Sequence, residues 1–206
     1  MSNPATMPLA YFDEMYATAP DPWGFENRWY ETRKYDISVA MLPQQWYDSG
    51  FEPGCSIGVL TERLATRCHR LLACDAAPAA VRGATARTDH LPQVQVEQRI
   101  LPSGWPPGQF DLIVMSELLY YFGDDDLRQV IDLATSALRP GGSLLAVHWQ
   151  RPVAEYPRTG ADVHRRLAGQ PGLARLAEHK EEDFLAEVYI RTDTRPVSVA
   201  QATGLA

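Results

Sequence analysis

The sequence contains no apolar run long enough to cross a bilayer, and its first residues lack the basic-then-apolar order of a secretory leader. These absences set the expectation of a cytoplasmic protein with no membrane partner. Basic residues are outnumbered: 19 Lys and Arg stand against 26 Asp and Glu, for a formal net charge of -7. Polyanions are held mainly by clustered cations. The densest basic patch, Arg63, Arg67 and Arg70, reads as a solvated helix face, so no nucleic-acid partner is expected. Cysteine is scarce, three in 206 residues. Cys55, Cys68 and Cys74 follow no metal-knuckle spacing, which suits a reducing compartment and predicts no metal. What remains is an ordinary folded composition, 45% hydrophobic and 22% charged. Its length fits one domain, 1–206, with a three-layer α/β core.

The run Glu52-Pro53-Gly54-Cys55-Ser56-Ile57-Gly58 is the chain's most informative feature. Two glycines separated by three residues make a tight, open turn. A short apolar run, Leu71-Leu72-Ala73-Cys74, then ends in Asp75. This layout suits a nucleotide-like ligand whose polar centre lies over the turn and whose ribose diol meets the carboxylate. A plain βα turn with Asp75 as a helix cap is the bland alternative. A nicotinamide-dependent oxidoreductase would also use such an acid, but its glycines normally follow GxGxxG, and these do not.

Helices and strands alternate along the chain. Aromatics at helical spacing predict a helix over 11–16, broken by Ala19-Pro20-Asp21-Pro22, and a second over 26–42, stopped by Pro43. A first strand is expected around Phe51, a helix over 58–68, and strands over 71–74 and 94–96. Pro78 suits the first turn of a helix. Phe110 to Met115 is almost wholly apolar, as a central strand covered on both faces should be. Gly123-Asp124-Asp125-Asp126 opens a helix whose carboxylates are placed to cap it, and Pro140-Gly141-Gly142 closes it. A strand over 143–147, a helix over 162–167 and a β-rich run over 184–190 follow, the last as an antiparallel edge or hairpin partner. Residues 1–10 read as a loose lead and those from about 194 as a flexible tail. The βαβ rhythm predicts a mostly parallel sheet with its ligand crevice at the carboxyl ends of the strands. Gly54, Asp75, Ser116-Glu117 and His148-Trp149 all fall at such ends.

The ordered set Glu52-x-Gly54-x-x-x-Gly58, Asp75, Phe110-Asp111-Leu112-Ile113-Val114 and Leu138-Arg139-Pro140-Gly141-Gly142 resembles class I S-adenosylmethionine-dependent methyltransferases. Asp21-Pro22-Trp23, Tyr30-Glu31-x-x-Lys34-Tyr35, Ser116-Glu117-x-x-Tyr120-Tyr121 and His148-Trp149 are similar to the nodulation protein S branch, over roughly residues 10 to 190. Members of that branch methylate the free amine of a deacetylated chitooligosaccharide. The resemblance implies a Rossmann-like α/β/α fold with a mostly parallel seven-stranded sheet and an antiparallel C-terminal edge strand. It also implies S-adenosyl-L-methionine as cofactor and residues 1–43 as a helical lid. Glu52, Gly54, Cys55, Ser56 and Gly58 would form the cofactor turn, and Asp75 would take the ribose hydroxyls. Ser116 would lie near the transferred methyl. Ser56 stands where a middle glycine is common, and Arg99 where an acid often meets adenine. Adenine recognition is therefore expected from the Arg99-Ile100 backbone or other groups.

Methyl transfer from a sulfonium is an in-line displacement in which the protein aligns the reactants and shields them from water. Trp23, between Pro22 and Gly24, either covers the methionine part, its π face favouring the sulfonium by about 1 kcal/mol, or plugs the sheet edge. Tyr30 and Lys34 either complete that cover or are ordinary helix neighbours. Glu117 is assigned to catalysis and to the acceptor, holding an amine or its developing charge; the alternative is a cap. His148 is the candidate general base and an acceptor residue, or else a hydrogen-bonded structural histidine. Tyr120, Tyr121 and Trp149 offer faces to a sugar ring, or pack the core. The expected acceptor is the amine of an amino sugar or oligosaccharide, handled by a monomer or small homo-oligomer. A small-metabolite O-methyltransferase and a non-catalytic cofactor-binding regulator are the other readings.

Overall fold

The computed structural model describes residues 5–206; the first four residues of the expected loose lead lie outside it. The order is α1 (Leu9–Thr18), α2 (Trp29–Ala40), β1 (Gly50–Pro53), α3 (Val59–Leu64), β2 (Leu71–Asp75), α4 (Pro78–Thr88), β3 (Val94–Gln98) and β4 (Phe110–Ser116). Then come α5 (Asp124–Ala137), β5 (Leu138–Trp149), α6 (Gly160–Ala168), β6 (Leu173–Lys180), β7 (Phe184–Arg191) and α7 (Val199–Ala202). One seven-stranded sheet runs β3-β2-β1-β4-β5-β7-β6. Strands β1 to β5 pair in parallel, whereas β7 is antiparallel to both β5 and β6. This is the expected three-layer α/β architecture. The antiparallel strand lies one place in from the C-terminal edge, because β6, which the sequence reading left without an element, takes the edge itself.

Strand alternation sorts the core into two layers. Ile113, Met115, Leu144 and Ala146 face one side, against Leu127, Val130 and Ile131 of α5 and Val163 and Leu167 of α6. Leu112, Val114, Leu145 and Val147 face the other, against Tyr35 of α2 and Leu60 and Leu64 of α3. Each fully buried large aliphatic side chain is worth about 1.5–3 kcal/mol, so these layers hold the strand ends in place.

Four local readings change. The carboxylates at the start of α5 do not cap it; Gly123 is the N-cap residue, and its N–H donates to the Thr6 hydroxyl at 2.8 Å. Asp124 instead accepts from Arg158 and Arg166, and Asp126 from Thr6. Helix α5 ends at Ala137, before the Pro-Gly-Gly, because buried Leu138 already pairs with Phe110 and restarts the strand. The predicted helix over 58–68 stops at Leu64 and finishes in a 3-10 turn, Ala65–Arg67. The basic patch is solvated only in part: Arg70 is exposed and Arg63 pairs at the surface with Asp36, but Arg67 donates to the carbonyls of Val39 and Gln45. The tail from about 194 contains the single turn α7, capped by Ser198, with no buried side chain.

One reversal of strand order places the crevice. β1 lies between β2 and β4, so the connections leave it in opposite directions and open a gap over its carboxyl end. Gly58 sits beneath that gap with φ +80°, and a Cβ there would lie 3.0 Å from the Ala84 Cα in α4. Gly141 has φ +79° with nothing within 4 Å. Gly58→Ala is therefore expected to destabilise by about 2–3 kcal/mol, from left-handed strain plus displaced α4, and Gly141→Ala by only about 1 kcal/mol. Urea denaturation of both variants checks the order; equal losses would show that the α3 to α4 contact adds nothing.

Candidate active site

A cavity of ≈ 750 Å³ opens over the carboxyl ends of β1, β2, β4 and β5, roofed by residues of α1 and α2. Its two ends differ in chemistry.

At the β1/β2 end the backbone turns sharply. Gly54 has φ +72° and Ser56 φ +51°. The N–H groups of Gly54 and Cys55 both donate to the Cys74 carbonyl, at 2.7 and 2.9 Å, which ties the turn to the end of β2. A Cβ on Gly54 would lie 2.9 Å from Leu118, so the turn packs against the loop after β4. Asp75 accepts the Ser56 N–H through one oxygen and the Ala77 N–H through the other, each at 2.9 Å. Burial pushes its carboxyl up while these backbone donors oppose the shift. Tyr16 of α1 shares a 2.6 Å hydrogen bond with the Ser56 hydroxyl. Trp23 lines this end, stacked on Phe25 and edge-on to Tyr16.

Glu52 is buried in the same wall, and its Oε2 has no hydrogen-bond partner among the described residues. Burial pushes its carboxyl up to about 8, with nearby Asp75 adding to the shift and Thr61 opposing it. The Cys55 thiol lines the cavity and is pushed well up by burial, so it stays protonated. Gly58 is not on the wall; its contribution is the backbone turn and the approach of α4. Arg99 and Ile100 line the rim, but their backbone is partly committed. The Arg99 N–H donates to the Asp75 carbonyl at 3.0 Å, and the Ile100 carbonyl accepts from Gly104 at 2.7 Å. The Arg99 guanidinium is drawn to Glu97 and the Gly104 carbonyl.

The β4/β5 end is built around Glu117. It follows β4 directly with φ +52°, a left-handed conformation for a non-glycine residue. Its N–H donates to the Val147 carbonyl at 2.8 Å. Oε1 accepts from Lys34 Nζ at 2.7 Å; Oε2 accepts from the Tyr120 hydroxyl at 2.5 Å and the Trp149 N–H at 2.9 Å. Lys34, one of two lysines in the chain, is 2% exposed and also pairs with Glu31 at 2.9 Å. Burial works against its charge, but Glu117 and Glu31 outweigh it and hold the ammonium above its usual range. Ser116, Tyr120, Tyr121 and Trp149 also line the wall. The Tyr30 ring stands edge-on to Trp149 at 5.7 Å, and its buried hydroxyl has no partner among the described residues.

His148 departs from its expected place. It is fully buried and absent from the cavity wall. In β5 it shares the parity of Leu144 and Ala146, which pack against α5 and α6, whereas Trp149, at the strand end and paired with Phe184, reaches the cavity. The assignment as general base and acceptor residue is thereby overturned. Burial, reinforced by His164 and then Lys34, pushes His148 well below the usual imidazole range. Sequence reasoning also missed Glu31, Tyr16 and Tyr156. Glu31 was detectable from its three-residue spacing to Lys34; Tyr156 lies in an irregular loop and carried no signal. Among the described residues no group of His, Cys, Asp and Glu is arranged to hold a metal ion.

A family model described as nodulation protein S matches residues 13–152. Nodulation protein S of Rhizobium tropici is 32% identical over 132 residues, covering 62% of this chain and 54% of that protein. The chain thus spans somewhat over half the length of the curated relatives it matches. Two solved structures are similar. A candidate methyltransferase from Pseudomonas syringae has a TM-score of 0.71 at 44% identity, over 80% of this chain and 100% of that one. The N-methyltransferase NodS from Bradyrhizobium japonicum WM9, in complex with S-adenosyl-L-homocysteine, has a TM-score of 0.79 at 25% identity, over 88% and 97%. With both its sequence and its fold matched, this chain belongs to the nodulation protein S family of class I S-adenosylmethionine-dependent methyltransferases.

Proposed function

We propose that this protein transfers a methyl group from S-adenosylmethionine to the amine of a small acceptor, an amino sugar or a deacetylated oligosaccharide. The residues at the β1/β2 end fit the cofactor. Asp75 keeps lone pairs for a ribose diol after accepting two backbone N–H groups. Glu52 offers a buried, unpartnered oxygen to the ammonium of the methionine part. Trp23 offers an aromatic face to the sulfonium. When bound, the cofactor supplies the methyl group and a neutral thioether leaving group. Helices α1 and α2 would act as the cover that keeps water out.

One observation carries the choice of acceptor: Glu117 is a fixed carboxylate held at the cavity by three donors. A hydroxyl acceptor needs a base at the attacking oxygen. His148 does not reach the cavity, and both Glu117 oxygens are engaged. A neutral amine is already nucleophilic, and the fixed negative charge of Glu117 favours the positive charge that grows on it. Tyr30, Tyr120 and Trp149 present ring faces and edges suited to a sugar. The N-methyltransferase relative in Bradyrhizobium japonicum supports the same reading.

Calorimetry with S-adenosylhomocysteine should show one site per chain, weakened by about 1–3 kcal/mol in Asp75→Ala. Binding should also tighten from pH 6 towards 8. The free protein carries Glu52 protonated until about pH 8, and a ligand ammonium held there favours the carboxylate. Glu52→Gln should flatten that dependence. Pairing of Asp75→Ala with unchanged affinity would remove the ribose assignment.

Isotope-labelled methyl transfer to amino sugars, deacetylated chitooligosaccharides, simple amines and their hydroxyl analogues tests the reaction. Amines should be labelled, and Glu117→Gln should lower kcat/KM about 10²-fold or more. Labelling of hydroxyl acceptors alone would overturn the amine reading.

A further inference from the structure

Three buried polar side chains stand outside the cavity wall: His148 of β5, His164 of α6 and Glu187 of β7, with exposures of 0%, 4% and 2%. They form one chain of hydrogen bonds. The Leu119 N–H points at His148 Nε2 at 3.2 Å. His148 Nδ1 and His164 Nε2 are 3.1 Å apart, and His164 Nδ1 is 2.5 Å from Glu187 Oε2. Glu187 also accepts from the Tyr189 hydroxyl and from Arg175. Burial opposes its charge, but the hydrogen bonds from His164, Tyr189 and Arg175 hold its carboxyl down to about 2.

The two ends of this chain dictate its protons. A backbone N–H can only donate, and an ionised carboxylate can only accept. The Leu119 N–H requires a bare Nε2 on His148, so His164 Nε2 must accept from His148 Nδ1 while His164 Nδ1 donates to Glu187. His148 must then carry its proton on Nδ1 and receive Leu119 on Nε2. Only this arrangement of protons satisfies every contact along the chain. One added proton puts donor against donor, either between the rings or at Leu119. Whichever link fails, Leu119 loses its connection to Glu187.

Leu119 opens the 3-10 turn Leu119–Tyr121, two residues after the strained Glu117. Tyr120 on that turn donates to Glu117, and its ring stands edge-on to His148 at 5.4 Å. Other charged groups around the relay are Lys34 from α2 and Arg175 and Glu178 from β6. Arg158 holds the end of the turn through the Phe122 carbonyl at 2.8 Å.

We infer that His148 is a positioning residue that, through His164 and Glu187, holds the Leu119–Tyr121 turn so that Tyr120 sets Glu117 at the acceptor end. A proton taken up by the relay frees that turn and shuts down methyl transfer as the medium becomes acid. The assignment rests on the reading of the Glu117 end as the acceptor side. It adds to that reading a control on acceptor binding that leaves the cofactor end alone.

Two measurements test it. In 15N-histidine spectra of the wild-type protein at pH 7, His148 should be neutral with its proton on Nδ1. A proton on Nε2, or an imidazolium, would overturn the relay. Kinetics with whichever acceptor the wild type methylates supply the second. His148→Phe removes the acceptor of the Leu119 N–H, and should raise the acceptor KM about tenfold while S-adenosylhomocysteine affinity stays within about twofold. His148→Gln keeps an oxygen for Leu119 and cannot titrate there, so it should restore the KM and move or abolish the acid fall in kcat/KM. Equal pH profiles in His148→Gln and the wild type would overturn the proposal, as would parallel losses of cofactor and acceptor binding in His148→Phe. If His148→Phe does not fold, the His148→Gln profile and the spectra decide. An acceptor that proves to be a hydroxyl overturns the amine reading alone; an unchanged profile overturns the relay alone.

Discussion

The buried ion pair between Lys34 and Glu117 is the interaction on which the site's shape depends. Removing two such charges from water costs several kcal/mol per ion, and Coulomb attraction repays this only when the remaining polar atoms are satisfied. Here they are. Glu117 spreads its charge over Lys34, Tyr120 and the Trp149 N–H, and Lys34 has Glu31 as a second partner. The pair thereby joins α2 to the ends of β4 and β5, elements far apart in sequence. Deleting Lys34 leaves the buried Glu31 and Glu117 carboxylates without their cation, and deleting Glu117 cuts the tie from Lys34 to the sheet, so the roof helix and the sheet rim hold their relation as a unit.

The cofactor end follows a different logic. Its framework rests on backbone donors: Gly54 and Cys55 donate to the Cys74 carbonyl, and Ser56 and Ala77 donate to the Asp75 carboxylate. Such a turn is rigid without side-chain packing, which lets the ligand approach the chain closely. At this end Glu52 retains an oxygen unpartnered among the described residues, an arrangement that an apolar environment makes costly unless a cation completes it. The two ends thus divide the work between a preformed cradle and a charged, aromatic wall.

Much of this was legible in the sequence. The apolar run Phe110 to Met115 became the central strand, and the Gly54, Asp75, Ser116-Glu117 and Trp149 positions met at one rim, because parallel strands all end on the same side. Less legible was whatever depended on a partner far along the chain. Asp124 looked like a helix cap and proved to be a ligand of Arg158 and Arg166. Arg67 looked solvated and proved to fasten the end of α2. Strand β6 has a polar, poorly alternating pattern and exists because β7 provides its hydrogen-bonding edge.

His148 marks the boundary between the two kinds of knowledge. The sequence by itself determined that an imidazole stands at the end of a buried strand, beside an aromatic residue, on the side where ligands bind. Spacing and apolar periodicity suffice for that, since they set strand identity and direction. Which of His148 and Trp149 faces the cavity is a matter of pleat parity counted from a register that only pairing with β4 and β7 establishes. A shift of one residue exchanges the two faces. The tertiary structure placed Trp149 on the wall and His148 behind it, because there the Leu119 N–H and His164 meet both of its ring nitrogens.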